Sequence, residues 1–282
     1  MLFDLEEFYK AYTAYLQFNA QNPPMHHTRF IFPLFAGSYF TYRKVDVMRI
    51  ISIAELLSDN PQYIDIGCGN GDFLDKIRDF IPTAIGVERY ASIFNIFRKH
   101  NPDYIYSSLI ECLKAKAFDI AFVGWMEPGT DFRKKVAECS DCIITTFDAG
   151  GQCGVNGGCE YEQFGFNRVA WWRTPSWIDV NTELMNKFYT PALSYDQQKK
   201  YALAKLRSAH NFWYVYTKPE KDDIVYHGLK TWLKKEELYV DEKYAFESIL
   251  DQSGFNYREE LPMILSKYKG LWQVWFDHDD KK

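Results

Sequence analysis

The chain has 282 residues, 47% of them hydrophobic and 25% charged, with a net charge of -5; that is a globular balance, long enough to bury a core without staples. The negative charge disfavours nucleic acid as a partner, because the longest basic block is only Arg133-Lys134-Lys135 and duplex binding asks for a clustered basic face. No apolar run approaches the roughly 18 residues of a membrane span, and Asp4, Glu6 and Glu7 near the N-terminus carry the wrong charge for a secretory leader.

Residues 4–17 place Leu5, Phe8, Tyr9, Tyr12, Tyr15 and Leu16 at helical spacing, with Asp4 and Glu7 at the spacing of a capping box. Pro23 and Pro24 break that helix, and residues 44–57 read as a second one. From Tyr63 a strand–helix alternation sets in. Strands are predicted at 63–66, 84–87, 104–106, 118–124 and 142–147, with helices at 72–80, 91–99 and 131–138 between them. That rhythm implies a parallel, doubly wound α/β sheet.

After Asp148 the rhythm fails. Residues 149–160 are Gly-rich, 194–209 look helical, 211–217 look like a strand, and 244–253 read as a helix closed by Gly254. Two ways of finishing the sheet stay open. The preferred one pairs Phe255–Glu260 with Leu271–Phe276; the other pairs Asn167–Thr174 with Thr182–Thr190.

Six cysteines are too sparse for a secreted disulfide scaffold, so a cytoplasmic location with reduced thiols is expected. Cys139 and Cys142 form a C-x-x-C pair followed by Cys153 and Cys159. The second pair has the wrong spacing for zinc, and the first abuts an apolar strand; free thiols and no metal are expected.

The chemistry concentrates in Tyr-Ile-Asp-Ile-Gly-Cys-Gly-Asn-Gly-Asp-Phe, residues 63–73. A strand runs into Gly67, Cys68, Gly69 and Gly71 and then a helix, so the main chain turns sharply and approaches a ligand closely. Asp65 at the strand end suits a positively charged ligand group. Glu88, followed by Arg89, ends the second strand, where a carboxylate accepts both hydroxyls of a ribose. Loop and carboxylate together describe a nucleoside ligand. A dinucleotide fingerprint wants its third glycine three residues after the second; that position is Asp72, which repels pyrophosphate.

The order acid-x-Gly-x-Gly-x-Gly, then Glu88, then the strand Phe118-Asp-Ile-Ala-Phe-Val resembles the class I S-adenosylmethionine-dependent methyltransferases. The resemblance implies a mostly parallel, seven-stranded Rossmann-like sheet with N-terminal helices and a large insertion after the fifth strand. It divides the chain into a helical cap (1–60), a cofactor-binding core (61–148), a substrate-side insertion or lid (149–243) and a completion of the sheet (244–282). It implies S-adenosylmethionine as cofactor, with Asp65, Gly67, Cys68, Gly69, Gly71, Glu88, Arg89 and Gly124 around it. In place of the family's acidic or polar adenine contact this chain has Ser107-Ser108-Leu109, which leaves Ser108 or Leu109 for that role.

The fourth strand ends in Gly124-Trp-Met-Glu-Pro128 where amino-methylating branches carry Asp or Asn before Pro-Pro-aromatic. Glu127 is a candidate base or a holder of a cationic substrate, and otherwise an exposed loop carboxylate. Trp125 either stacks on a ligand or packs the core. Asp148 ends the fifth strand at the cleft edge; His210 and His227 are weaker candidates. Trp171, Trp172, Trp177 and Asp179 either wall a substrate pocket or pack the lid. The implied activity is methyl transfer to a small molecule or a protein side chain. The alternatives are an inactive cofactor-binding partner subunit and a nucleotide-dependent oxidoreductase.

Overall fold

The computed structural model describes residues 41–89, 102–107, 117–148, 153–155, 157–175, 210–236 and 271–278, with 13, 20, 110, 113, 243–244 and 246–247 in addition. The expected helices at 4–17, 91–99 and 194–209, together with Trp177, Asp179 and Phe255–Glu260, lie outside the described residues. Among the described residues no helix is long and apolar enough to cross a membrane.

The described elements are α1 (Lys44–Leu57), β1 (Tyr63–Ile66), α2 (Asp72–Arg78), β2 (Ile85–Val87), β3 (Ile105–Tyr106), β4 (Phe118–Gly124), α3 (Arg133–Cys139), β5 (Ser140–Asp148), β6 (Asn167–Pro175), β7 (His210–Thr217), α4 (Asp222–Leu233) and β8 (Trp275–Phe276). They build a mixed α/β fold around one sheet of order β3-β2-β1-β4-β5-β7-β6-β8. The first five strands are mutually parallel. β7 runs antiparallel to both its neighbours, and β8 runs antiparallel to β6. The strand order reverses between β1 and β4, so a crevice opens outside the carboxyl ends of these strands.

Strand alternation sorts the core into two layers. On β4, Ile120 and Phe122 join the cluster with α1, α2 and α4, while Ala121 and Val123 join the cluster with Val136 of α3 and Tyr161. Buried on both faces, β4 and β5 read as continuous apolar runs, which is why the sequence located them.

The closing strands differ from expectation: β6 and β7 stand beside β5, Phe255–Glu260 of the preferred pairing lies outside the described residues, and of Leu271–Phe276 the strand Trp275–Phe276 pairs with β6. Among the described residues the sheet has eight strands, where seven were expected, and β6 and β7 fall within the 149–243 segment. The other pairing had its first strand right, but its partner is His210–Thr217, paired from Asn167↔Thr217 to Pro175↔His210. Strand pairing is non-local, and nothing in the local pattern of 167–174 selects between candidate partners.

Helix α1, within the segment expected as a helical cap, contributes to the core: Val45, Val47, Ile50, Ile53 and Ala54 are fully buried. Its buried polar residues are met in kind. Asp46 Oδ1 accepts the indole N–H of Trp172 at 2.8 Å, and its Oδ2 accepts those of Trp272 at 2.9 Å and of the Arg43 main chain at 2.8 Å. Burial pushes the Asp46 carboxyl above its ordinary pKa, against the opposing pull of Arg49 and these donors. Arg49 Nη2 in turn reaches both oxygens of Glu236 at 2.9 and 3.0 Å. This network ties α1, β6 and the residues after α4 into one layer. Helix α4 was missed in the sequence, although Val225 and Leu229 are buried four apart on its inner face.

Candidate functional site

The loop after β1 is assembled by hydrogen bonds to β2. Gly67 and Cys68 donate their N–H groups to Val87 O at 2.9 and 3.2 Å, and Gly71 N–H closes the turn on Cys68 O at 2.8 Å. Gly67, Gly69 and Gly71 hold φ of 72°, 56° and 75°, a region that side chains with a Cβ rarely enter. A Cβ built at Gly67 would meet nothing within 4 Å, so open space lies in front of the loop.

Glu88 Oε2 accepts the Gly69 N–H at 2.8 Å. Loop and carboxylate, expected as two halves of one site, are thus in direct contact. Glu88 is held there because its own N–H donates to Tyr106 O at 3.0 Å on the neighbouring strand. Asp65, on β1 opposite Gly86, is buried. Burial, and then the nearby Asp72 and Glu88 charges, holds its carboxyl well above the ordinary carboxylate range. Three acidic side chains therefore surround the loop, a field that favours a cation and repels phosphate.

Gly86 is a site-forming residue to which the sequence reading assigned no role. A Cβ there would stand 2.7 Å from Cys68 Sγ and 2.7 Å from Leu74 Cδ2. Only glycine lets the loop and the first turn of α2 pack down on β2. The signal was present, since glycine inside a strand marks close approach of another segment.

The loop after β4 stands on the other side of β1. Trp125 continues the ladder by donating its N–H to Thr146 O at 2.9 Å, then turns with φ of 57°. It packs against two apolar clusters at once, the one with α1 and the one holding Phe147, Trp171 and Phe212. Glu127, 27% exposed, faces Arg89 with Nη1 to Oε2 at 3.9 Å. That ion pair links the ends of β2 and β4, so Arg89 and Glu127 flank the same crevice as Glu88.

The Gly-rich segment expected as a lid entrance is bonded to this loop: Gly154 N–H donates to Met126 O at 3.1 Å, and Gly129 N–H to Gly154 O at 2.9 Å. Cys153 and Cys159 are buried beneath it. Among the described residues no disulfide joins Cys68, Cys139, Cys142, Cys153 or Cys159. Burial pushes the Cys139 thiol up to about 11 and the Cys142 thiol further. Among the described residues no group of three or more His, Cys, Asp or Glu is placed to hold a metal ion.

Gly124 ends β4 beside Thr146. Asp148 ends β5 opposite Asn211, at the crevice edge of the sheet, and His210 opens β7 opposite Pro175. His227 lines a groove between α1 and α4 instead. Ser108 and Leu109 lie outside the described residues. The tryptophans pack the fold: Trp172 is fully buried against Trp213, with ring centroids 5.3 Å apart, and Trp171 stacks on Trp275.

No family model matches the chain, and no curated protein matches its sequence. Solved structures resemble it at low identity. A Galdieria sulphuraria protein assigned as a sarcosine dimethylglycine methyltransferase is 13% identical, with a TM-score of 0.42, covering 62% of this chain and 84% of its own. A Bacillus halodurans protein assigned as a methyltransferase is 12% identical, with a TM-score of 0.40, covering 62% of this chain and 99% of its own. A plantazolicin methyltransferase solved with SAH is 14% identical, with a TM-score of 0.34, covering 62% and 83%. At these values no residue role passes from them to this chain.

Proposed function

We propose that this chain is a methyltransferase of the class I kind that takes its methyl group from S-adenosylmethionine and passes it to a small molecule or a protein side chain. One observation carries the reading: the contact of the Glu88 carboxylate with the Gly69 amide, beside the buried Asp65. A glycine turn facing open space, ringed by Asp65, Asp72 and Glu88, fits a ligand that carries positive charge next to a ribose. The same ring opposes a dinucleotide, whose pyrophosphate would meet the Asp72 and Glu88 charges.

In this reading Asp65 and the amides of the loop hold the charged amino-acid end, and Glu88 receives the ribose hydroxyls. The sulfonium supplies the activated methyl group. What the protein supplies is alignment and exclusion of water. Trp125 and Gly124 wall the acceptor side at the end of β4, and Glu127 stands where it can take the acceptor's proton or hold its charge. Asp148, at the end of β5, belongs to the same edge. We assign the adenine end to Ser108 and Leu109, the residues that follow β3.

The test is calorimetry on the full chain with S-adenosylmethionine, its demethylated product and NAD. Micromolar binding of the first two with none of NAD is expected. Failure to bind either adenosyl ligand, or equal binding of NAD, overturns the reading. Transfer of labelled methyl groups to a cell extract then separates an active enzyme from a silent cofactor binder.

A further inference from the structure

The two cysteines that flank the Gly-rich turn have no part in the methyl-transfer reading. Cys153 and Cys159 are both buried, in the cluster with Phe147, Trp171 and Phe212. Main-chain contacts draw the ends of the turn together. Gly158 donates its N–H to Val155 O at 3.0 Å, and a Cβ built on Gly154 would stand 2.6 Å from Gly158 O. Gly154 follows Cys153 and Gly158 precedes Cys159, so the two cysteines meet across the base of the turn. Their thiols are hydrogen-bonded to one another. The C-x-x-C pair is placed otherwise: Cys139 donates its thiol to Val136 O at 3.3 Å, and Cys142 lies in the core layer with α1.

The same turn is bonded to the crevice wall. Gly154 donates its N–H to Met126 O at 3.1 Å and accepts the Gly129 N–H at 2.9 Å. Trp125, one residue before Met126, packs against the cluster that holds both thiols. A covalent link across the base of the turn therefore fixes the residue that holds the 126–129 loop. Thiols already in contact need little main-chain movement to bond, and separation of the two Cβ atoms is the usual obstacle to a disulfide. In the closed turn the bond to Cys153, and then burial, hold the Cys159 thiol above its ordinary pKa, against the pull of the neighbouring Arg133. Oxidation thus starts from a locally opened turn. Val155, between the two cysteines, is 44% exposed, so a few residues rather than the core must open.

We propose that Cys153 and Cys159 form a reversible disulfide, a redox-sensitive brace that ties the 153–159 turn to the crevice wall. A peroxide is the oxidant. One thiolate attacks a peroxide oxygen; an S–O bond forms, the O–O bond breaks, and the departing oxygen takes up a proton. The second sulfur attacks the resulting sulfenic acid; the S–S bond forms, the S–O bond breaks, and the hydroxide leaves with the second thiol proton as water. The two sulfurs together give two electrons to the peroxide. A dithiol reverses the step by exchange and is itself oxidised to a disulfide. The brace concerns the protein's own thiols, so it stands or falls independently of the methyl-transfer reading.

Hydrogen peroxide added to the folded full chain, followed by peptide fragmentation without reduction, tests it. A bond between Cys153 and Cys159 is expected, and dithiothreitol is expected to remove it. Hydrogen exchange on the two forms reads the brace: the Gly129 and Gly154 amides are expected to exchange about tenfold more slowly in the oxidised chain. Cys153→Ser and Cys159→Ser are each expected to abolish that change, and Cys139→Ser to leave it intact. Circular dichroism on each variant separates a lost bond from a lost fold, and the unmodified chain gives the answer without them. Both thiols recovered unbonded, reduced or over-oxidised, from a chain that stayed folded overturn the proposal. A bond that forms only in urea, or to another cysteine instead, overturns it as well. Unchanged exchange at Gly129 and Gly154 in the bonded chain overturns the brace.

Discussion

Glu88 and Gly69 are joined by a 2.8 Å hydrogen bond from the glycine amide to the carboxylate, although 19 positions separate them in the chain. The pairing Ile66↔Val87 brings the two strand ends level, and the loop then folds back onto the acid. The bond is charge-assisted and buried, a class worth about 1.5–3 kcal/mol. It positions one wall of the crevice before any ligand arrives.

Glu88→Ala is therefore expected to weaken S-adenosylmethionine binding by roughly ten- to hundredfold, the equivalent of one charge-assisted hydrogen bond. Glu88→Gln keeps an acceptor for the Gly69 N–H and is expected to fall between the two. Calorimetric titration of the three proteins checks this. Equal affinity in all three removes Glu88 from the site.

Asp65 makes binding depend on pH. Its folded pKa is raised by burial and by the Asp72 and Glu88 charges. The ligand-free fold thus holds this proton more tightly than the unfolded chain does. That contribution to stability is present below the ordinary carboxylate value and is lost as pH rises through the raised one. A cationic ligand pulls the pKa back down, so binding should tighten with rising pH and release a proton below the raised value. Titration in buffers of different ionisation heat measures that proton. Asp65→Asn should abolish the release, weaken binding and raise the melting temperature of the ligand-free protein at neutral pH. A melting temperature that drops instead counts against this account.

Gly86→Ala should destabilise by about 1–3 kcal/mol, the usual cost of overpacking. The added methyl meets Cys68 Sγ and Leu74 Cδ2 at 2.7 Å each. Cys68→Ala in the same chain should recover part of the loss and leave the Leu74 clash. Urea unfolding of the two single variants and the double one gives the coupling directly; strict additivity would mean the two residues do not meet.

Asp46→Ala should cost about 3–5 kcal/mol, the range for breaking a buried charged group out of its partners. It strips acceptors from two indole N–H groups and from the Arg43 main chain. Thermal unfolding reads the loss. A change below about 1 kcal/mol, the size of an ordinary surface substitution or little more, would show that the network is not the joint between α1 and β6.

What was legible in the chain was local. Gly67, Gly69 and Gly71 behind an apolar strand announce a turn whatever the rest of the fold does, because backbone sterics act within a few residues. The apolar runs of β4 and β5, buried on both faces, were equally plain, and the acid at the end of β2 followed from the strand count. Tertiary structure decided the rest. It chose β7 as the partner of β6, sank α1 into the core through Asp46, set Gly86 under Cys68, and turned Trp172 inward to an acid 126 positions away. These are contacts between distant segments, and their energies depend on which surfaces meet, which no window of neighbouring residues contains.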